Sequence, residues 1–227
     1  MSDETKVKGS PMYDQVKKKL DEAAVPTFSE LDFKISRSEI KYCIDELKNG
    51  KSPGKDGILN EMIKSCRDTL LPVLAKLFNM IFTSGCFPSP WKTSLLTLIH
   101  KGGSALDPNK YRGISLSSCL SKLFCAVMKT RLDHHMKKKG YSNKFQIGFV
   151  KNCRTSDHIF VLRSLIDKYV KVAGKQKFLY VCFIDLQKAF DTVWHDGLFY
   201  KCLKYDCNHH VDLGEYRSIY RYRPLVG

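Results

Sequence analysis

The feature that most constrains the fold is the short apolar run FLYVCFI at residues 178–184, which is followed directly by Asp185. A continuous apolar run of this length between polar residues is typical of a strand that is buried on both faces. An acidic residue at the tip of such a strand is costly unless a charged partner, most often a metal ion, lies beside it. An ordinary strand-to-helix loop with Asp as the helix cap is the alternative.

Helical patterns occupy most of the remaining chain, and two of them have clear boundaries. Ser36-Arg37-Ser38-Glu39 has the form of a capping box ahead of Ile40, Ile44 and Leu47. Residues 69–84 predict a mostly buried helix closed by Gly85, and residues 117–139 predict a long amphipathic helix closed by Gly140. A further helix is predicted for 155–172, and a short one is allowed around 13–24.

Strand signals are few and far apart. Residues 93–100 (TSLLTLIH) predict a strand, and the glycines and Asp-Pro of the next segment predict a loop or hairpin. Together with 178–184, these elements predict the α+β class.

Positive charge is concentrated in one part of the chain. The formal net charge is +15, and residues 92–154 hold thirteen Lys/Arg against only Asp107 and Asp133. Such a segment favours a polyanionic partner such as nucleic acid, whose counterions are released on binding. A solvated basic surface that serves solubility is the alternative.

Composition argues against membrane and secretory classes. No apolar run approaches the roughly 20 residues that span a bilayer, and the polar N-terminus has no signal-peptide pattern. Nine cysteines occur without a CxxC pair, which suits reduced thiols. We therefore expect no membrane partner and an intracellular location, in the nucleus or the cytoplasm.

The segment FIDLQKAFDTV, which contains Asp185, resembles motif A of the reverse transcriptases of LINE-type (non-LTR) retrotransposons. Other blocks resemble that family in the same order, over about residues 28–204. They are LKNGKSPGKDGI, WKTSLLTLIHKGG, KYRGISLSSCLSKLFCAVMKTRL and FQIGFVKNCRTSDHIFVLRSLID.

The resemblance implies a partial right-hand polymerase fold, with the fingers and the first palm strand and no thumb. Residues 1–27 would be a flexible lead-in, 28–90 the helices of an N-terminal extension, and 91–177 the fingers. Residues 178–204 would begin the palm with motif A, and 205–227 would form a divergent tail. The implied function is RNA-directed DNA polymerisation, with an RNA template, a DNA primer and dNTPs as partners.

The resemblance also implies roles around motif A. Nucleotidyl transfer uses carboxylates that hold two Mg²⁺ ions about 3.5–4 Å apart. Asp185 would be the motif A ligand and the Leu186 carbonyl a second one. Phe190 would be the steric gate that selects dNTPs over ribonucleotides, with core packing as the alternative. Asp191 would be structural, as a cap for a helix that begins near Trp194.

Two groups of fingers residues take further roles by resemblance. Lys101 and Arg112 match the cations that bind the triphosphate of the dNTP. Residues of the template-contacting block are Gln146, Gly148, Phe149, Lys151 and Arg154. The chain departs from the usual family pattern at Val150 and Cys153, where Arg is frequent, and at Gly113, where Pro is usual.

A rival candidate site for zinc and the absence of the family's Asp-Asp pair also bear on function. Cys202, Cys207, His209 and His210 form a weak candidate for zinc, because their spacing fits no common structural site. The chain contains no Asp-Asp pair, although the family carries one on a later palm hairpin. We therefore expect a truncated polymerase that is inactive as this chain. A non-catalytic basic nucleic-acid-binding remnant is the alternative, and a remnant that does not fold stably is a third.

Overall fold

The computed structural model describes residues 9–22, 31–141, 143, 145–171, 178–186, 189 and 192–205. The helices of this part are α1 Pro11–Asp21, α2 Arg37–Asp45, α3 Asn60–Ser65, α4 Arg67–Ser84, α5 Cys119–Lys138, α6 Thr155–Ile166 and α7 His195–Lys204. The strands are β1 Ser94–His100 and β2 Tyr111–Ser117. Helix and antiparallel strand together confirm a mixed α and β composition.

The capping box predicted at the start of α2 is formed. The Ser36 hydroxyl accepts from the Glu39 N–H at 3.2 Å, and the Glu39 carboxylate accepts from the Ser36 N–H at 2.8 Å. Two N–H groups that have no partner within the helix are thereby satisfied. At the other end of the next long helix, α4, Gly85 adopts a left-handed φ of 70° and donates to Ile81 O.

The core lies where α2, α3, α4 and α5 meet. Its largest fully buried side chains are Phe78, Ile40, Ile44, Leu123 and Val127. The break FPSPW after α4 adds Phe87 and Trp91, which lie edge-on to each other at 5.5 Å and border the ring of Phe124. The break that interrupts the helices in sequence therefore closes one side of the core.

Arg131 on α5 joins segments that lie far away in sequence. Its guanidinium donates to both carboxylate oxygens of Glu39, at 2.6 and 3.0 Å. It also donates to the carbonyls of Leu31, Phe33 and Lys34. Its side chain is only 12% exposed. The Arg131 side chain thus fixes the entry to α2 against the middle of α5.

Helix α1 packs against α7, at the other end of the described chain. Tyr13 stacks on Trp194 with ring centroids 5.9 Å apart, and Lys19 lies over the ring of Tyr200. Val16 and Leu20 are also buried. The predicted lead-in therefore contains a packed helix, where the sequence allowed a short one around 13–24.

The hairpin β1–β2 and helix α6 contrast with the core. All of β1 is exposed, and no residue of α6 is buried. Helix α6 ends at Ile166 and continues as a π-helical turn, Asp167–Lys171. Large apolar side chains on both elements consequently face solvent, among them Leu96, Leu98 and Phe160.

The buried strand predicted for 178–184 is wrong for this structure. Residues 178–186 form no strand, and Phe183 and Ile184 are 83% and 84% exposed. Within the described part of the chain, the two strands pair only with each other. A strand needs a hydrogen-bonded neighbour, and apolar composition alone does not provide one.

We expect Arg131→Met to lower the free energy of unfolding by about 2–4 kcal/mol, because it leaves a partly buried carboxylate and several carbonyls without their donor. Urea denaturation followed by circular dichroism measures this change. Lys129→Met on the same helix is the matched control. It removes an exposed pair with Asp133 and should cost no more than about 0.5 kcal/mol. Equal losses in the two variants would contradict the role given to Arg131.

Stability should also depend on pH through Glu39. Burial raises the pKa of this carboxyl, but hydrogen bonds from Arg131 and Ser36 outweigh burial, so the pKa lies below its usual value of 4.5. A lowered pKa stabilises the fold above the unfolded-state value, and this contribution is lost as the pH falls through the folded-state value. Glu39→Gln should therefore be less stable than the wild type at pH 7, and the difference should shrink below about pH 4.5.

Denaturant titrations between pH 7 and pH 3 measure this difference. The control is Glu22→Gln, which removes only an exposed carboxylate on α1 and should give a small difference at every pH. A Glu39→Gln deficit that persists unchanged to pH 3 would refute the charge-based explanation.

Candidate nucleic-acid and nucleotide site

The hairpin positions the first two candidate residues. Strands β1 and β2 are antiparallel, with Ile99 opposite Arg112 and His100 opposite Tyr111. The pairing continues one step further, because the Lys101 N–H donates to Lys110 O at 2.6 Å. The connecting loop is held by Tyr111, whose hydroxyl donates to Ala105 O at 3.0 Å.

Lys101 and Arg112 lie at the same end of this hairpin. Side chains alternate along a strand, so Ile99, its partner Arg112 and the next-but-one residue Lys101 belong to one face. Both cations are exposed. The Lys101 ammonium donates to Asn109 O at 3.3 Å. An Arg that can bind two phosphate oxygens beside a Lys point charge suits a polyphosphate.

Gly113, where the family pattern usually has Pro, lies under Leu96. A Cβ atom at this position would come within 2.9 Å of Leu96 Cδ1. The Leu96 side chain therefore occupies the space that a larger residue at 113 would need. The absence of a side chain at Gly113 thus leaves room for Leu96, which lies diagonally across from it on β1.

The template-block candidates lie in the turns between α5 and α6. Gln146, Gly148, Phe149 and Lys151 are all exposed there. Arg154 is the residue before α6, and its N–H donates to the Asp157 carboxylate at 2.7 Å. The five predicted residues of this block, Arg154 included, therefore lie on one short segment, 146–154, and all five are exposed. The same segment presents Phe145, which the sequence analysis did not single out, although it directly precedes Gln146.

The motif A candidates are only partly described. Asp185 and Leu186 are exposed and lie in the segment 178–186, which has no regular secondary structure. Phe190 and Asp191 lie outside the described residues, so the proposed steric gate and cap stay predictions. Helix α7 begins at His195, next to the predicted Trp194, which occupies the N-cap position without a side-chain capping bond.

A metal site is not complete in the part that the structure describes. No group of three or more His, Cys, Asp or Glu side chains able to hold a metal ion occurs among those residues. Asp185 therefore supplies one carboxylate but does not by itself fit two magnesium ions. Of the zinc candidates, Cys207, His209 and His210 lie outside the described residues. Burial raises the pKa of the Cys202 thiol, which disfavours the thiolate that zinc binds.

The basic segment has fewer available charges than its composition indicates. Arg131 is used within the fold, and Lys129 pairs with Asp133 one helical turn away. Lys137 and Lys138 lie in the last turn of α5, where cations complement the helix dipole. The four cations that the sequence predicts to bind ligands, Lys101, Arg112, Lys151 and Arg154, are all exposed.

Comparison with known proteins bears on this arrangement. The family model described as reverse transcriptase (RNA-dependent DNA polymerase) matches residues 99–224, which is more than half of the chain. The chain belongs to the reverse transcriptase family. The match includes Lys101 and Arg112 of the hairpin, the turns between α5 and α6, and Asp185. It extends beyond Lys204, the position at which the resemblance was expected to end.

Relatives place the chain among polymerases of non-LTR retrotransposons. A probable RNA-directed DNA polymerase from transposon BS of Drosophila melanogaster is 34% identical over 193 residues, which are 84% of this chain and 21% of that protein. The RNA-directed DNA polymerase from mobile element jockey, also of Drosophila melanogaster, is 32% identical over 74% of this chain and 18% of its own length. A Pol polyprotein from the type-1 retrotransposable element R2 of Popillia japonica is 30% identical over 72% of this chain and 21% of its own. The chain thus spans about a fifth of the length of these relatives.

Family membership carries a coarse chemistry. Reverse transcriptases act on nucleic acid and nucleotides and generally use divalent metal ions. No helix among the described residues is long and apolar enough to cross a bilayer.

We expect the four predicted ligand-binding cations to account for most of the salt dependence of nucleic-acid binding. Changing Lys101, Arg112, Lys151 and Arg154 together to Gln should reduce the slope of log K against log salt on single-stranded nucleic acid by up to about 3, from ~0.7 per phosphate contact. Fluorescence anisotropy at several salt concentrations measures this slope.

The control changes Lys137, Lys138 and Lys139 to Gln, and the loss per charge should be clearly smaller. Equal losses per charge would mean that the basic segment binds as a diffuse surface, without a localised site.

Proposed function

We propose that this chain contributes the fingers and the start of the palm to an RNA-directed DNA polymerase of a non-LTR retrotransposon. The observation that supports this most directly is the placement of Lys101 and Arg112 on one face at one end of the hairpin. Lys101 and Arg112 would bind the triphosphate of an incoming dNTP. The exposed turns that carry Gln146, Gly148, Phe149, Lys151 and Arg154 would contact the RNA template.

The catalytic contribution proposed for this chain is a single carboxylate. Asp185, with the Leu186 carbonyl, would hold Mg²⁺, which supplies charge stabilisation for phosphoryl transfer in this chemistry. Phe190 would select dNTPs by occupying the space of a ribose 2′-hydroxyl. In the right-hand fold, residues 178–184 would be the first palm strand. That strand would form only when neighbouring palm strands pair with it, because the described residues leave it exposed.

A second candidate function is binding without catalysis. It is favoured by the exposure of Lys101, Arg112, Lys151 and Arg154 on the hairpin and on the turns between α5 and α6. Nucleic-acid binding needs only the turns and the hairpin, whereas polymerisation also needs a second carboxylate. The two candidates therefore differ in catalysis and agree on binding.

We expect no primer extension by the 227-residue chain with Mg²⁺, dNTPs, an RNA template and a DNA primer. Phosphoryl transfer depends on positioned charge, and the chain has no Asp-Asp pair to complement Asp185. The full-length jockey polymerase serves as the positive control. Template-dependent incorporation that Asp185→Ala abolishes would show this expectation to be wrong.

The catalytic role of Asp185 itself is tested in a chimera. The region of this chain that matches the jockey polymerase replaces its counterpart there, and primer extension is measured. The proposal expects extension that Asp185→Ala removes and that Asp133→Asn, an exposed carboxylate on α5, leaves unchanged. Extension that survives Asp185→Ala would exclude Asp185 as a metal ligand and favour binding alone.

A further inference from the structure

The turns between α5 and α6 hold the backbone in an unfavourable conformation. Phe149 has φ 62° and Asn152 has φ 68°, and they are the non-glycine residues with positive φ in the part of the chain that the structure describes. Asn tolerates this left-handed region, but a Phe there is strained because its Cβ crowds the backbone. Such strain persists where the surrounding structure enforces it, and it is concentrated at functional sites.

Hydrogen bonds enforce this backbone at successive turns. The N–H groups of Gln146, Val150 and Cys153 donate to carbonyls three residues earlier, at 3.2, 3.2 and 3.3 Å. The Phe145 N–H donates to the Asn143 side chain at 2.9 Å, and the Arg154 N–H donates to Asp157. These bonds define the path of the described residues 145–154 up to the start of α6.

Two aromatic rings are presented by this path. Phe145 is 90% exposed and Phe149 is 94% exposed, so nearly the full area of both rings meets solvent. A ring left in water forgoes the favourable free energy of burying its apolar surface. Phe149 carries this cost in addition to its strained backbone. Plain core packing does not account for either ring.

The surroundings of the rings are cationic. Lys151 and Arg154 are exposed on the same segment, and no acidic residue occurs in the sequence between Asp133 and Asp157. Lys is depleted at the centres of protein–protein interfaces, and a net charge of +15 opposes a second copy of the chain. Exposed rings that share a short segment with exposed cations match the surfaces that bind single-stranded nucleic acid.

We propose that Phe145 and Phe149 form a stacking platform for unpaired bases of single-stranded RNA or DNA, with Lys151 and Arg154 contacting the flanking phosphates. The inference rests on the proposed function, since it assigns a mode of contact to the nucleic acid proposed there. Every base has a flat π-face, so the platform distinguishes unpaired from paired bases and shows little sequence preference. The cations add affinity for both single and double strands.

The test uses the double variant Phe145→Leu/Phe149→Leu in the full chain. Leucine keeps an apolar side chain and the same charge but lacks the ring. The probes are a labelled 12-nucleotide RNA, the DNA of the same sequence and the corresponding DNA duplex, each titrated by fluorescence anisotropy. We expect at least about fivefold weaker binding of the single strands, unchanged binding of the duplex and an unchanged salt slope. The RNA and DNA arms show which strand the platform prefers.

Two controls separate stacking from other effects. Phe160→Leu changes a comparably exposed ring on α6, 72% exposed, and should leave single-strand binding unchanged. Lys151→Gln/Arg154→Gln should weaken single strand and duplex alike and lower the salt slope. In a third variant, Phe145→Trp, the added tryptophan fluorescence should be quenched on single-strand binding and not on addition of duplex.

The outcomes distinguish this inference from the function on which it rests. Single-strand affinity that is the same in the wild type and in Phe145→Leu/Phe149→Leu overturns the platform but leaves nucleic-acid binding in place. Equal losses for single strand and duplex also overturn it. Wild-type chain that binds none of the three probes, even at low salt, overturns the proposed function together with the platform.

Discussion

The core formed by α2, α3, α4 and α5 depends on one guanidinium. Arg131 binds both oxygens of Glu39, and that same carboxylate closes the capping box of α2. Its remaining N–H groups satisfy carbonyls of the segment before α2, and the guanidinium lies 5.3 Å from the ring centre of Phe82 on α4. One side chain thereby links α5 to α2 and α4. Because Glu39 and Leu31 lie 92 and 100 residues from Arg131 in sequence, the link also closes the core as one unit.

Packing divides the described residues into a core and an open surface, and the candidate site lies on the open surface. The core is built from α2, α3, α4 and α5. The hairpin, the turns after α5, helix α6 and segment 178–186 lie outside it and expose apolar side chains. Such surfaces are typical of regions that meet another partner. Those residues proposed for dNTP, template and metal that the structure describes are all among them.

Local signals in the sequence predicted local structure well. The S-x-x-E pattern at Ser36 predicted a capping box, Gly85 predicted a left-handed helix end, and the glycines after β1 predicted the hairpin loop. All three were confirmed, because in each case the residues that decide the conformation are within a few positions of one another. The family assignment was confirmed as well, because it rests on ordered blocks of sequence and not on packing.

Non-local contacts account for what the sequence did not reveal. Arg131 was counted among the thirteen Lys/Arg of the basic segment, yet its hydrogen-bond partners lie within residues 31–39, and no local pattern signals them. The stacking of Tyr13 on Trp194 joins the two ends of the described chain and had no signal either. Segment 178–184 has strand composition, but the ladder that would make it a strand depends on distant residues. Sequence thus indicated which segments could form elements, and tertiary partners decided which of them did.

The exposure of segment 178–186 changes the physical meaning of Asp185. An acidic residue at the tip of a buried strand requires a compensating charge, and that requirement was the first argument for a metal. In the structure the neighbouring Phe183 and Ile184 are exposed, so water already solvates the Asp185 carboxylate and little drives it to bind a cation. If palm strands pair with this segment and cover its apolar side chains, the carboxylate loses water and its demand for a positive partner rises. Strand pairing, burial and metal binding would then occur together, as in other metal sites whose ligands are assembled by folding.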